Sequence, residues 1–148
     1  DRACGFCAIP SFRGKQRSRT LDSVLAEVDT LVAGGVREVV LVAQDLAAYG
    51  RDQGKGERSI VALVAEAARR AARVRLLYLY PSDLTDALVE AMVATGVPYF
   101  DLSLQHVSRP LLARMRRWGD GTRFLDRITA YRLFADRETA ADRSITRT

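Results

Sequence analysis

The sequence predicts an α/β chain built on a parallel sheet, and three observations predict it. Short β-branched or aromatic runs alternate with segments whose apolar residues recur every three or four positions. The links between them are short and rich in Gly, Pro and Ser. The chain has 148 residues, 48% hydrophobic and 28% charged, the size and balance of one ordinary globular domain. Strand–helix alternation of this kind sets parallel strands side by side through right-handed crossovers. A folded chain of this length buries roughly 68–70% of its unfolded surface, so its core needs no disulfide staples.

Taken in order, Leu21, Val24, Leu25, Val28, Leu31 and Val32 form the apolar face of a first helix. Thr20 is its N-cap and Gly34–Gly35 its stop. Val36 to Ala43 is a β-branched run of the kind buried in parallel sheets. A polar loop from Gln44 to Arg58 carries Gly50, Gly54 and Gly56, without the spacing of a phosphate loop. Ser59 caps a second helix with Ile60, Leu63, Val64, Ala67 and Ala71 on one side. Val74 to Tyr80 is a second strand, broken by Pro81-Ser82; Tyr78 and Tyr80 read as core or strand-face residues. Leu84, Leu88, Ala91, Met92 and Thr95 mark a third helical face closed by Gly96. Tyr99 to Leu104 is a third strand ending at Gln105-His106, and Ser108 caps a fourth helix running through Leu111, Leu112 and Met115 towards a packed Trp118. After about Thr122 the pattern fails. Arg123 to Phe134 suits a helix, and Ala135 to Thr148 is expected to be a frayed or disordered tail. The expected division is a core over residues 1–125 and a divergent tail over 126–148.

In parallel α/β folds ligands sit at the carboxyl ends of the strands. Gln44-Asp45, Pro81-Ser82 and Gln105-His106 each follow a strand and are expected on one rim. A strand ahead of the first helix would bring Cys4 and Cys7 to that rim as well. The chain starts at Asp1 without a Met and reaches its cysteines at once, so a segment upstream is expected.

Composition excludes some classes. The longest apolar run falls short of the roughly 18 residues that span a bilayer, and no apolar leader is visible. Net charge is +5, and all of the excess lies in the last 40 residues, where ten Arg face five acids. Arg13, Lys15, Arg17 and Arg19 form an earlier basic cluster. Basic clusters can bind nucleic acid, but these are not interleaved with stacking aromatics. Arg outnumbers Lys 21 to 2 beside 21 Ala, which reads as a compositional bias, so a nucleic-acid partner is not favoured.

A Cys-x-x-Cys pair serves a dithiol redox site, zinc or an iron–sulfur cluster. His106 is the only histidine and no further cysteine exists, so the chain offers at most three soft ligands. The pair alone does not choose among these chemistries.

Its neighbours do. The segment from Asp1 through Cys4-Gly-Phe-Cys7-Ala-Ile-Pro10 to Gly14 resembles the cluster loop of the radical S-adenosylmethionine (SAM) enzymes, whose pattern is C-x-x-x-C-x-aromatic-C. Within that superfamily, Ala8-Ile-Pro-Ser-Phe-Arg-Gly14 is similar to the methylthiotransferases that modify ribosomal proteins. Leu41-Val-Ala-Gln-Asp45 with Tyr49-Gly50, Leu79-Tyr-Pro-Ser82, and Asp101-Leu-Ser-Leu-Gln-His106 followed by Met115-Arg-Arg117 match in the family's order. The resemblance covers residues 1 to about 125. It implies a partial parallel (βα) barrel of the radical SAM type, truncated at both ends, with a 4Fe-4S cluster and SAM as cofactors.

The resemblance also implies roles. Cys4 and Cys7 would be the second and third cluster ligands, the first falling immediately before Asp1. Phe6 would line the adenine site, and Gln44 and Asp45 would meet the methionyl amino group. Ser82, Gln105 and His106 would line the SAM and substrate pocket; no catalytic residue is singled out. Plainer roles stand beside these: a loop cap for Asp45, a turn for Ser82, a hydrogen-bonded rim histidine for His106. The reaction implied is one-electron cleavage of SAM, hydrogen abstraction from an aspartate β-carbon in ribosomal protein uS12, and addition of a methylthio group there. Electron and sulfur donors and a second 4Fe-4S cluster in an N-terminal domain come with the family, as does a C-terminal β-barrel. The tail from about Ile128 departs from the family pattern. As an isolated chain it is expected to be inactive, and cytoplasmic because a cluster demands reducing surroundings. The alternatives are a tRNA-adenosine methylthiotransferase fragment, which usually reads Gln-Asn after the strand, or a non-enzymatic basic module binding RNA or zinc.

Overall fold

The computed structural model describes residues 3–54, 60–95, 99–117 and 119–145, with side chains through residue 137. Ser59, Gly56, Gly96 and Trp118 lie outside the described residues. The element order is α1 Ile9–Arg13, α2 Leu21–Ala33, β1 Glu38–Leu41, α3 Ile60–Ala68, β2 Arg73–Leu79, α4 Asp86–Val93, β3 Phe100–Leu102, α5 Arg109–Arg114 and α6 Gly121–Ile145. Short 3₁₀ turns follow the first two strands, at Leu46–Ala48 and Pro81–Asp83.

The three strands form one parallel sheet in the order β1-β2-β3. This is the expected α/β class with its strands in sequence order. Val39 and Leu41 of β1 and Val74, Leu76 and Leu79 of β2 are buried in one apolar cluster with Leu25 and Val28 of α2, Leu63, Val64 and Ala67 of α3, and Leu88, Val89 and Met92 of α4. The opposite face carries Val40, Val42 and Tyr78 in the open. Alternation by two along a strand makes this split automatic. In β2 it slips once: Leu76 and Leu79 are both buried, three residues apart, and the register to β3 shifts between them. Tyr78 takes φ 61° there, and the Asp101 carboxylate accepts its N–H at 3.0 Å. One extra residue in the ladder turns the ring of Tyr78 outward.

Local signals set most boundaries. Thr20 caps α2, its hydroxyl accepting the Ser23 N–H, and Gly34 closes it with Gly35 at φ 90°. Thr85 caps α4 by accepting from Leu88 N. Three expectations need correction. Strands β1 and β3 are shorter than the apolar runs 36–43 and 99–104, because the ladders with β2 pair only part of each run. Ser108 precedes α5 without a side-chain cap bond, and α5 ends at Arg114 because Arg116 at φ 52° turns the chain away. Past Phe134 the described chain continues as helix, α6 running to Ile145, rather than breaking up at Ala135. No Gly or Pro interrupts 122–148, and Ala, Arg and Glu favour helix even where no apolar stripe persists. Tyr131 anchors α6, donating from its hydroxyl to Leu84 O at 3.0 Å. Among the described residues no helix is long and apolar enough to cross a membrane.

Candidate cofactor-binding site

The cysteine loop is a tight turn. Cys7 N–H donates to Cys4 O at 3.1 Å, and both thiols are half-buried and free. Gly5 N–H donates to Met115 O at 2.9 Å, which docks the loop on the last turn of α5. A Cβ at Gly5 would sit 3.4 Å from Arg114 O, an ordinary van der Waals contact. Arg117 ties the loop to the sheet. Its Nη1 lies 3.3 Å from Cys4 Sγ, its Nη2 donates to Ser103 O just after β3, and its guanidinium stands 4.4 Å from the centroid of Tyr80 at the end of β2. Ser103 N–H in turn donates to Leu79 O at 3.0 Å. The thiols therefore stand at the carboxyl ends of β2 and β3, the rim that parallel α/β folds use for ligands.

The loop after β1 reaches the same region from the other side. Gln44 is exposed and Asp45 half-buried. Asp45 starts the 3₁₀ turn through its backbone, its C=O accepting from Ala48 N at 3.1 Å, and its side chain makes no cap bond. The loop is latched to the segment that leaves the cysteine loop. Asp52 accepts Ser18 N–H and Ser18 Oγ–H, both at 2.6 Å, and Gly50 N–H donates to Ser18 Oγ at 3.0 Å. Gln53 donates to Ser18 O, Gln16 to Ala48 O, and the Tyr49 hydroxyl to Arg19 O. Arg51 pairs with Asp83 at 2.6 Å, joining the turns after β1 and β2.

Of the remaining expected residues, Phe6 is 55% exposed, Ser82 is half-buried in the turn after β2, and Gln105 is exposed at φ 67°. His106 is exposed, with Nδ1 accepting Ser108 N–H at 2.8 Å, the hydrogen-bonded rim position; the ring proton is then on Nε2. The elements bring these residues to the strand ends, while Arg117 and the Ser18–Asp52 latch do the joining. Sequence reasoning missed both. Arg117 lies in a quoted motif but among ten arginines that periodicity cannot rank. Ser18 and Asp52 are 34 residues apart, with no local pattern linking them.

Hydrogen bonds from the Ser18 side chain and backbone hold the Asp52 carboxyl below its usual range. A carboxyl with a lowered folded-state pKa stabilises the fold above its unfolded pKa, and that contribution is lost as pH falls through the lowered value. Asp52→Ala is therefore expected to raise tryptic cleavage after Arg17 several-fold at neutral pH. Unchanged cleavage would show that the latch does not order this segment.

A 4Fe-4S cluster that leaves one iron open takes three thiolates. Cys4 and Cys7, half-buried on one turn beside a guanidinium, suit two of them. Among the described residues no group of three His, Cys, Asp or Glu could hold a metal ion.

A cysteine turn at the carboxyl ends of parallel strands defines a class of protein, and the family model of the radical SAM superfamily matches residues 1–134: the chain belongs to that superfamily. Its members use SAM and a 4Fe-4S cluster. More particularly, the chain is similar to proteins named ribosomal protein uS12 methylthiotransferase RimO. It is 45% identical to that of Frankia casuarinae over 139 residues, 91% of this chain and 26% of the relative. It is 47% identical to that of Salinispora arenicola over 91% of this chain and 27% of the relative, and 48% identical to that of Geobacter sulfurreducens over 79% and 27%. The chain spans about a quarter of the length of these curated relatives.

Proposed function

We propose that the chain is the central radical SAM segment of a methylthiotransferase that adds a methylthio group to the β-carbon of an aspartate in ribosomal protein uS12. The observation that carries this reading is the cysteine turn, held by Gly5 and Arg117 at the strand ends of a chain so similar to relatives of that name. In this reading residues 1–125 are a partial radical SAM core and 126–148 a divergent tail.

Cys4 and Cys7 would ligate the cluster, with a third thiolate supplied by the position ahead of Asp1 in the family pattern. When bound, the cluster supplies the electron that cleaves SAM to a hydrogen-abstracting radical. The chain's own residues bind and orient SAM. The Asp45 carboxylate and Gln44 amide oxygen would accept from the methionyl ammonium, as acceptors suited to a cation. Phe6 offers an apolar face to the adenine, and Ser82, Gln105 and His106, with its Nε2 proton, line the pocket mouth. A second cluster in a flanking domain, electron and sulfur donors, and a cytoplasmic setting belong to the same reading.

Anaerobic reconstitution with iron and sulfide tests it, on this chain and on the chain with one cysteine added ahead of Asp1. The expected result is about four irons only with the added cysteine, and a change in the reduced cluster's EPR signal when SAM is added. Failure of both to hold iron would overturn the reading. In the loaded form Asp45→Ala is expected to weaken SAM binding roughly tenfold, about 1.4 kcal/mol, with iron content kept. An unchanged SAM affinity would leave Asp45 as a loop residue only.

A further inference from the structure

Arg117 has an unusual set of partners for an arginine. Several other guanidinium groups meet carboxylates: Arg70 with Glu66 and Asp29, Arg75 with Glu38, Arg51 with Asp83. The partners of Arg117 among the described residues are the Cys4 sulfur, the Ser103 carbonyl and the face of Tyr80. None of these partners among the described residues is a carboxylate. The chain is bent to deliver it. Arg116 N–H donates to Ala113 O at 3.0 Å and Arg117 N–H to Leu112 O at 2.8 Å, a helix stop that places Arg116 in the left-handed region and sends Arg117 back across the rim. Two residues earlier, Met115 O accepts from Gly5 of the cysteine loop.

We propose that Arg117 is a positioning residue for the cluster: it tethers the cysteine loop to the ends of β2 and β3, and its charge and N–H on Cys4 raise the cluster's reduction potential. The inference rests on the reading of Cys4 and Cys7 as cluster ligands. The physics is direct. Reduction adds negative charge beside Cys4, and a cation with a hydrogen bond to the ligating sulfur stabilises the reduced form more than the oxidised one. The forked guanidinium serves both parts of the role, because one arm reaches sulfur while the other holds Ser103 O. A lysine supplies the charge without the fork.

Two readouts test the two parts. In the iron-free chain, amide exchange at Gly5 reports the tether. Arg117→Gln and Arg117→Lys are both expected to speed it several-fold, and unchanged exchange in both would overturn the tether. In the form loaded through the added cysteine, the midpoint potential reports the charge. Arg117→Gln is expected to lower it by about 59 mV, a tenfold change in the one-electron equilibrium, while Arg117→Lys keeps more than half of the wild-type advantage. A wild-type potential in Arg117→Gln at equal iron content would overturn the electrostatic part. If the unsubstituted loaded form takes up no iron, the cluster reading fails and the potential claim falls with it. The exchange comparison still decides the tether.

Discussion

Alanine at Cys4, or at Cys7, is expected to empty the proposed iron site: in the form carrying the added cysteine, iron should fall from about four per chain to near zero, and SAM cleavage to background. The reason is the ligand count. Three thiolates leave one iron of the cluster open to SAM, and removing either described cysteine leaves two, too few to hold four irons firmly. The fold is expected to survive, because the cysteines lie on a turn outside the apolar cluster and are only half-buried. Circular dichroism should therefore be unchanged while the brown absorbance is lost. Retention of both iron and cleavage would place the ligands elsewhere. Loss of the helical signal together with the iron would make the loop part of the fold's support.

Leu76→Ala carries the other large effect, an expected loss of about 2–5 kcal/mol of stability on denaturant unfolding. Leu76 is 1% exposed in the central strand, inside the cluster formed with α2, α3 and α4. Removing three carbons there loses their burial and leaves a cavity that a close-packed interior fills only in part. Native domains are stable by about 5–15 kcal/mol, so the change takes a large share of the total. Val40→Ala is the control. Val40 is 43% exposed on the opposite face of β1, and its truncation is expected to cost within about 0.5 kcal/mol. Equal costs at the two positions would mean that the helices do not cover the face assigned to them.

Much of the fold was legible locally. Thr20 before an apolar stripe and Gly34–Gly35 after it mark α2 closely. The β-branched run at 36–43 and the run at 74–80 hold the first two strands, and Pro81 stands where β2 gives way to its turn. Strand ends were less legible, because a strand extends only as far as its neighbour pairs with it. The length of α6 was misread because expectation followed the apolar stripe, whereas residues past Phe134 keep helical preference without one. In the site, the residue types and their order along the chain were visible. The bulge at Tyr78, the Ser18–Asp52 latch and the role of Arg117 were not.

The sequence by itself determined the alternation of strands and helices, the Thr20 cap of α2, the placing of Gln44-Asp45, Ser82 and Gln105-His106 directly after strands, and the cysteine motif. These are properties of neighbours within a few residues, where backbone geometry and side-chain period act without reference to the rest of the chain. Only the tertiary structure decided that Arg117 meets Cys4 across 113 residues, that Asp52 closes on Ser18, and which sheet face the helices cover. Such contacts depend on where packed elements direct their side chains. One of many chemically identical arginines becomes distinct only when α5 ends in a left-handed turn beside the strand ends.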